Sequence, residues 1–387
     1  MKIAFFVRSM SNGGAEKVAA QLTRIWAQLG HETVLLMELP PSSCGEYACE
    51  CAAREFVGGD AAIVSQRLME LHAKCHFDVA VFNDAINSDW FATTFATAKG
   101  LGLRTIVINH HTANNWMYGC CNTKELFLDD VLSKVDAMVC VDRMWALWWK
   151  YRGVRSVFMQ NPVSIENCGR VGELKLVGAV DEAVEALKGR RNILWIGRIC
   201  DALKCPELAI EVFVELSKMD STARMVMLGH CDTSTKRRLL CNVLTGTRER
   251  IAFPGFVTNV GDYLAKADML LFTSATEVAV PQVVLEAMAA GIPTVAFDQP
   301  VLRGSLGSQL PIGGGAEKWQ RVLTGAEVEC DFDTPEVRQN LMDELHRSQQ
   351  WFATHYLPEL LTWRRWKTRM SARYLWRRLL KRIGFHD

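Results

Sequence analysis

Two carboxylates, Glu277 and Glu286, flank the apolar, Pro-containing run Val-Ala-Val-Pro-Gln-Val-Val-Leu, so that eight residues separate them. Ala-Met-Ala-Ala follows Glu286, then Gly291, then Pro-Thr-Val-Ala-Phe, which reads as a strand. The pattern predicts a loop that enters a small-residue helix opened by Glu286 and closed by Gly291. The first turn of a helix leaves backbone N–H groups without helical partners, and such groups hold phosphate. Carboxylates beside that seat accept hydrogen bonds from sugar and ribose hydroxyls. Phosphate donors and hydroxyl acceptors side by side suit a ligand of the nucleotide-sugar kind. Val280, Pro281, Gln282, Val283 and Glu286 are the candidate binding positions at this junction.

Cations stand at a second point. Gly197-Arg198 follows an apolar run, and Lys204 comes six residues after Arg198, just before Cys-Pro-Glu207. A guanidinium and an ammonium at the top of a strand can neutralise a diphosphate leaving group, which lowers the barrier to breaking its bond. The plainer alternative is a solvated pair of charges. Gly229, after the next apolar run, joins the candidate binding residues. His110 and His111 follow Thr105–Ile108; one of them could contact a sugar or assist an acceptor hydroxyl, while adjacent histidines point different ways. Near the start, Gly13-Gly14-Ala-Glu16 lies between a strand and a helix, where two glycines let backbone approach a ligand closely. It is neither Gly-x-Gly-x-x-Gly nor a P-loop, and a bare strand–helix turn is its alternative.

Other chemistries find less support. Asp331-Phe-Asp333 resembles the short acidic motif of metal-dependent sugar transfer but sits in a polar stretch, and we read it as a surface loop. No metal site is expected, and no cofactor beyond a nucleotide-sugar substrate. Thirteen cysteines occur without a Cys-x-x-Cys pair; Cys44, Cys49 and Cys51 cluster, and free thiols are the reading. No Gly-x-Ser-x-Gly appears, so Ser-His-Asp hydrolysis is not suggested.

The elements that must position these residues come as two α/β series. Lys2–Val7, a helix from Lys17 to about Leu29, and Thr33–Met37 form one βαβ unit, which predicts a parallel sheet. Strands at Val79–Phe82, Thr105–Ile108 and Ala137–Val141 follow, each a nearly continuous apolar run, as in a sheet covered on both faces. The second series runs through Ile193–Ile196, a helix Pro206–Lys218, Arg224–Leu228, a helix Thr235–Leu244, Ile251–Phe253, a short helix near Val260–Lys266, Met269–Phe272, a helix Pro281–Ala290 and Thr294–Phe297. The fold class is therefore α/β: two doubly wound, Rossmann-like domains facing each other across a cleft. The expected boundaries are a first domain over 1–165, a linker over 166–191, a second domain over 192–355 and a terminal helix over 356–387.

A chain of 387 residues is comfortable for two domains. A net charge of +1 gives no global pull toward nucleic acid, and none is expected as a partner. No run of eighteen apolar residues occurs and the opening is too short for a signal-peptide core, so a cytoplasmic location is the expectation. The segment Trp363–Ile383 holds nine Lys/Arg and no acid, with Trp363, Trp366, Met370 and Tyr374 at helical spacing. Basic residues among tryptophans suit an anionic membrane surface, which would make the protein peripheral on the inner face of the cytoplasmic membrane. A helix packed on the domains is the alternative.

Taken together these residues resemble the bacterial family 4 (group 1) retaining glycosyltransferases of the GT-B fold. The Gly-Gly-Ala-Glu loop, Asn161-Pro-Val163, Gly197-Arg198 with Lys204, Gly229, Phe253-Pro-Gly-Phe256, Tyr263-Leu-Ala-Lys-Ala-Asp268 and Pro281 through Pro293 all fall in family order. The resemblance implies transfer of a sugar from a nucleotide-diphosphate donor to a glycan or lipid-linked acceptor, with anomeric retention and without metal, as in bacterial surface polysaccharide or lipopolysaccharide synthesis. Arg198 and Lys204 would hold the diphosphate, Glu286 the ribose, and Glu277 the donor sugar. Gly14 would lie near the phosphates, and His110 or His111 near the sugar. The family's glutamates are one residue closer together, and its Gly after the first is Val278 here. Either a one-residue bulge restores Glu277 to the site or that contact is lost. A non-catalytic or partner-dependent homologue and a nucleotide-sugar epimerase are the competing functions.

Overall fold

A computed structural model describes residues 1–11, 13–40, 47–86, 88–110, 129–163, 172–200, 202–257, 259–275, 277–303, 315–329 and 331–355. The chain divides into two compact units, Met1–Pro162 with Pro311–Asp387, and Val163–Leu310. In the first unit the order is β1 (Lys2–Val7), α1 (Gly14–Gln28), β2 (Glu32–Met37), β3 (Ala53–Phe56), α2 (Ala61–Cys75), β4 (Val79–Asn83), α3 (Phe91–Gly100), β5 (Arg104–Asn109), α4 (Asp129–Leu132), β6 (Ala137–Cys140), α5 (Arg143–Tyr151) and β7 (Ser156–Phe158). All strands run parallel in the order β3-β2-β1-β4-β5-β6-β7. Helices cover both faces, so the central strands are buried throughout, as their unbroken apolar sequences require. The core is aromatic: Phe6 stacks on Phe82 with ring centroids 4.9 Å apart, and Phe5 meets Trp26 edge-on. Side-chain caps start two of the helices, Asp60 accepting from Ala62 and Ile63 at α2 and Asp142 from Met144 at α5.

The second unit contains β8 (Leu174–Val177), α6 (Val180–Leu187), β9 (Asn192–Ile196), a 3₁₀ turn at Ala202–Lys204, α7 (Pro206–Met219), β10 (Arg224–Leu228), α8 (Thr233–Leu240), α9 (Thr245–Arg248), β11 (Ile251–Gly255), α10 (Val260–Leu264), β12 (Met269–Phe272), α11 (Gln282–Ala289), β13 (Thr294–Phe297) and α12 (Pro300–Arg303). Its six strands lie in the order β11-β10-β9-β12-β13-β8, again all parallel. Ile193, Trp195, Phe213, Met225, Met227 and Leu271 form its core.

Two boundaries differ from those expected from sequence. The stretch 166–191 holds β8 and α6, and β8 completes the second sheet by pairing with β13. The chain then returns to the first unit as α13 (Ala316–Thr324) and α14 (Pro335–His355). Buried Trp319 of α13 meets Trp26 edge-on at 5.4 Å, Gln320 bonds His31 at 2.7 Å, and Arg104 donates to the Val322 carbonyl. Leu341 and Leu345 of α14 are buried on the same unit, where the helix packs on α5. Asp331-Phe-Asp333, expected as a surface loop, is a turn with an exposed Asp331 and a buried Phe332. Phe332 is buried beneath Lys150, and Asp333 pairs with Lys150 and Arg338, whose donated hydrogen bonds hold its carboxyl below the usual carboxylate range. The helix expected over Thr235–Leu244 is α8, which starts at Thr233 and ends at Leu240, and a separate α9 follows from Thr245. Among the described residues, no helix is long and apolar enough to cross a membrane.

Candidate functional site

In a doubly wound sheet, ligands bind outside the strand carboxyl ends where the strand order reverses. In the second unit that point lies between β9 and β12. The chain leaves β9 as Gly197-Arg198 and leaves β12 as Thr273-Ser274, with Glu277 a few residues on. The neighbouring exit, from β10, carries Gly229. A Cβ on Gly229 would stand 1.9 Å from the Gly197 carbonyl oxygen, and its φ of +146° lies outside the range of ordinary side chains. Gly197 has its own reason, since a Cβ there would lie 2.9 Å from the Trp195 ring. These two glycines let the β9 and β10 exits run in contact.

Lys204 is placed by a bolt of hydrogen bonds that the sequence did not reveal. The Thr273 hydroxyl lies 3.1 Å from the Lys204 carbonyl and 3.0 Å from that of Cys205, and it accepts from Trp195 Nε1 at 3.0 Å. Ser274 Oγ donates to the Leu203 carbonyl, as does the Ala275 amide, and Gln299 Nε2 donates to the Ser274 carbonyl. The bolt also holds Cys205 at φ +47°, a left-handed residue immediately before Pro206, a conformation costing roughly 1–3 kcal/mol. The result is an ion pair: Lys204 Nζ lies 2.5 Å from Glu277 Oε1, with the two side chains 22% and 12% exposed. Glu277 therefore reaches the β9–β12 point despite its extra residue of spacing. Arg198 is exposed at the same strand ends.

The remaining binding candidates gather around α11. Pro281 takes the N-cap position with extended backbone, and Gln282 and Val283 supply the first helical amides. Gly291, at φ +77°, ends the helix. Glu286 sits in the second turn, 8% exposed, rather than at the opening. Val280 is buried.

In the first unit the strand order reverses between β1 and β4. Asn83 ends β4; its Oδ1 lies 2.9 Å from His110 Nε2, just past β5, and its Nδ2 donates to the Ala15 carbonyl at 3.4 Å. Glu16, in the first turn of α1, folds back over Gly13, where a Cβ would stand 1.9 Å from its carboxylate oxygen. Ser9 donates to Glu16 at 3.2 Å. Burial raises the Glu16 pKa, its own backbone N–H opposes this, and nearby Asp84 adds to the rise. A Cβ at Gly13 would meet only the flexible end of Glu16, which can move aside, and Gly14 is exposed, with nothing within 4 Å of a Cβ placed there. His111 lies outside the described residues. A cavity of about 460 Å³ lined by His31, Glu32, Thr33 and Cys51 is at the amino ends of the strands, away from this chemistry. Among the described residues, no group of three His, Cys, Asp or Glu could hold a metal.

Thr273, Ser274, Trp195 and Asn83 were not singled out from sequence. A Thr-Ser pair directly after a buried strand, and an Asn at a strand end, are the signals that could have marked them.

Comparison with known proteins bears on this geometry. Residues 190–307 match the family described as glycosyl transferases group 1. That segment spans β9 to α12 and so contains Arg198, Lys204, Glu277 and Glu286. No curated protein matches the chain. Among solved structures, Anabaena Alr3699/HepE in complex with UDP and glucose is 14% identical, with 91% of this chain and 95% of that one covered and a TM-score of 0.56. WaaG, a glycosyltransferase involved in lipopolysaccharide biosynthesis, is 14% identical, with 92% and 96% covered and a TM-score of 0.54. TarM is 11% identical, with 91% and 98% covered and a TM-score of 0.58. The chain has the GT-B fold of these structures.

Proposed function

We propose that this protein is a glycosyltransferase that moves a sugar from a nucleotide-diphosphate donor to a glycan or lipid-linked acceptor. The observation that carries this reading is the Lys204–Glu277 pair fixed at the β9–β12 reversal, within the segment that matches the group 1 family. Lys204 and Arg198 supply cations for the nucleoside diphosphate as it leaves, and the first amides of α11 supply backbone donors. Glu277 and Glu286 supply acceptors for hydroxyls, the former for the donor sugar and the latter for the ribose. Independence of a metal comes with the group 1 resemblance. Retention of anomeric configuration and a role in bacterial surface polysaccharide synthesis come with the group 1 resemblance. HepE is described with UDP-glucose as well as with UDP, which favours a donor of that class here. Peripheral attachment on the inner face of the membrane rests on the basic, Trp-rich segment 363–383, which lies outside the described residues.

The test is incorporation of labelled sugar from nucleotide-sugar donors into a bacterial lipid extract, followed by NMR of the new anomeric bond. The expected product keeps the donor's configuration. Conversion of donor alone into a different nucleotide sugar contradicts the proposal, as does inversion of the bond.

A further inference from the structure

The ends of β4 and β5 run side by side: Asn83 is in register with Ile108, and the Asp84 amide donates to the Ile108 carbonyl at 3.0 Å. That pairing brings Asn83, which is 2% exposed, against the ring of His110 two residues further on. The amide of Asn83 has one carbonyl oxygen, an acceptor only, and one NH₂, a donor only. Its NH₂ is committed to the Ala15 carbonyl at the start of α1, because the opposite orientation would set two oxygens against each other. The oxygen therefore faces His110, and a ring nitrogen 2.9 Å from an obligate acceptor must carry a proton.

We propose that Asn83 is a positioning residue that locks neutral His110 in the Nε2–H tautomer, leaving the lone pair on Nδ1. The lock links the Gly13–Gly14 loop, through Ala15, to the histidine. It dictates which nitrogen of the neutral ring carries the proton. Charged groups at the same corner are Glu16 and Asp84, both acidic, and Arg8, which is basic.

The experiment is NMR of the full chain labelled with ¹⁵N-histidine, with the His110 signal identified by its loss in His110→Gln. In the wild type the neutral ring carries its proton on Nε2. Asn83→Asp keeps the acceptor and keeps that tautomer, while shifting the ring toward its protonated form. Asn83→Leu keeps the volume, removes the acceptor and loses the tautomer preference. Where transfer is assayed, Asn83→Leu lowers kcat about tenfold with KM little changed. Only this last arm rests on the glycosyltransferase reading; the tautomer is read without substrate, so the two can fail separately. Neutral His110 protonated at Nδ1 in the wild type overturns the proposal, and so does an unchanged tautomer in Asn83→Leu. If Asn83→Leu does not fold, the wild-type ring and Asn83→Asp decide.

Discussion

Replacing Lys204 by methionine is expected to lower kcat/KM for sugar transfer by about 10²–10³-fold, the usual cost of losing one preorganised group that stabilises developing charge. Methionine keeps most of the stem, and the hydrogen bonds that place residue 204 run through its backbone carbonyl and those of its neighbours, so the fold should survive. The loss should fall on kcat more than on KM, because charge on the diphosphate grows as the sugar leaves. Glu277→Gln keeps the ammonium but frees it from its partner at 2.5 Å, and its loss should be smaller. The double variant should then be much less impaired than the product of the single effects, since the two groups act as one unit. Steady-state kinetics of the four proteins reads this directly. A Lys204→Met enzyme within about threefold of wild type would remove Lys204 from the chemistry.

Gly229→Ala is expected to destabilise the second unit by about 3 kcal/mol or more. The added methyl would meet the Gly197 carbonyl at 1.9 Å, against backbone rather than a flexible side chain, and the φ of +146° adds strain. For a unit of this size that is a fall in Tm of about 6 °C or more. Gly14→Ala is the control: a Cβ there meets nothing within 4 Å, and the residue opens a helix, so its Tm should stay close to wild type. Thermal unfolding followed by circular dichroism distinguishes the two. A Gly229→Ala protein as stable as wild type would mean that the β9 and β10 exits do not run in contact.

Much of the fold was legible because burial writes itself into sequence. Strands such as β1, β4, β9 and β12 are covered on both faces, and their unbroken apolar runs announced them. The strands that escaped lie at sheet edges. In β3, Ala-Arg-Glu-Phe is largely exposed and exists by pairing with β2, and in β8, Leu-Lys-Leu-Val is only partly buried and exists by pairing with β13. The return of α13 and α14 to the first unit depends on Trp319 meeting Trp26 and on Phe332 packing under Lys150, contacts between residues far apart in the chain. The candidate site divides in the same way. Arg198, Lys204 and Gly229 follow strands and could be found by position. Whether Glu277 reached them could not be read from spacing, because the answer lay in how Thr273 and Ser274 fasten the 203–205 turn. Asn83 was hidden for a similar reason: its partners belong to α1 and to the end of β5.

The central claim is a nucleotide-diphosphate-sugar site in the second unit, and thermal stabilisation by a panel of UDP-, GDP-, ADP- and CMP-sugars tests it most directly. Binding at a hundred times Kd should stabilise by about 2.7 kcal/mol. We expect one class of nucleoside-diphosphate sugar to raise the Tm of the wild type and to have little effect on Arg198→Ala. No shift with any donor at millimolar concentration, or an equal shift in Arg198→Ala, would contradict the account.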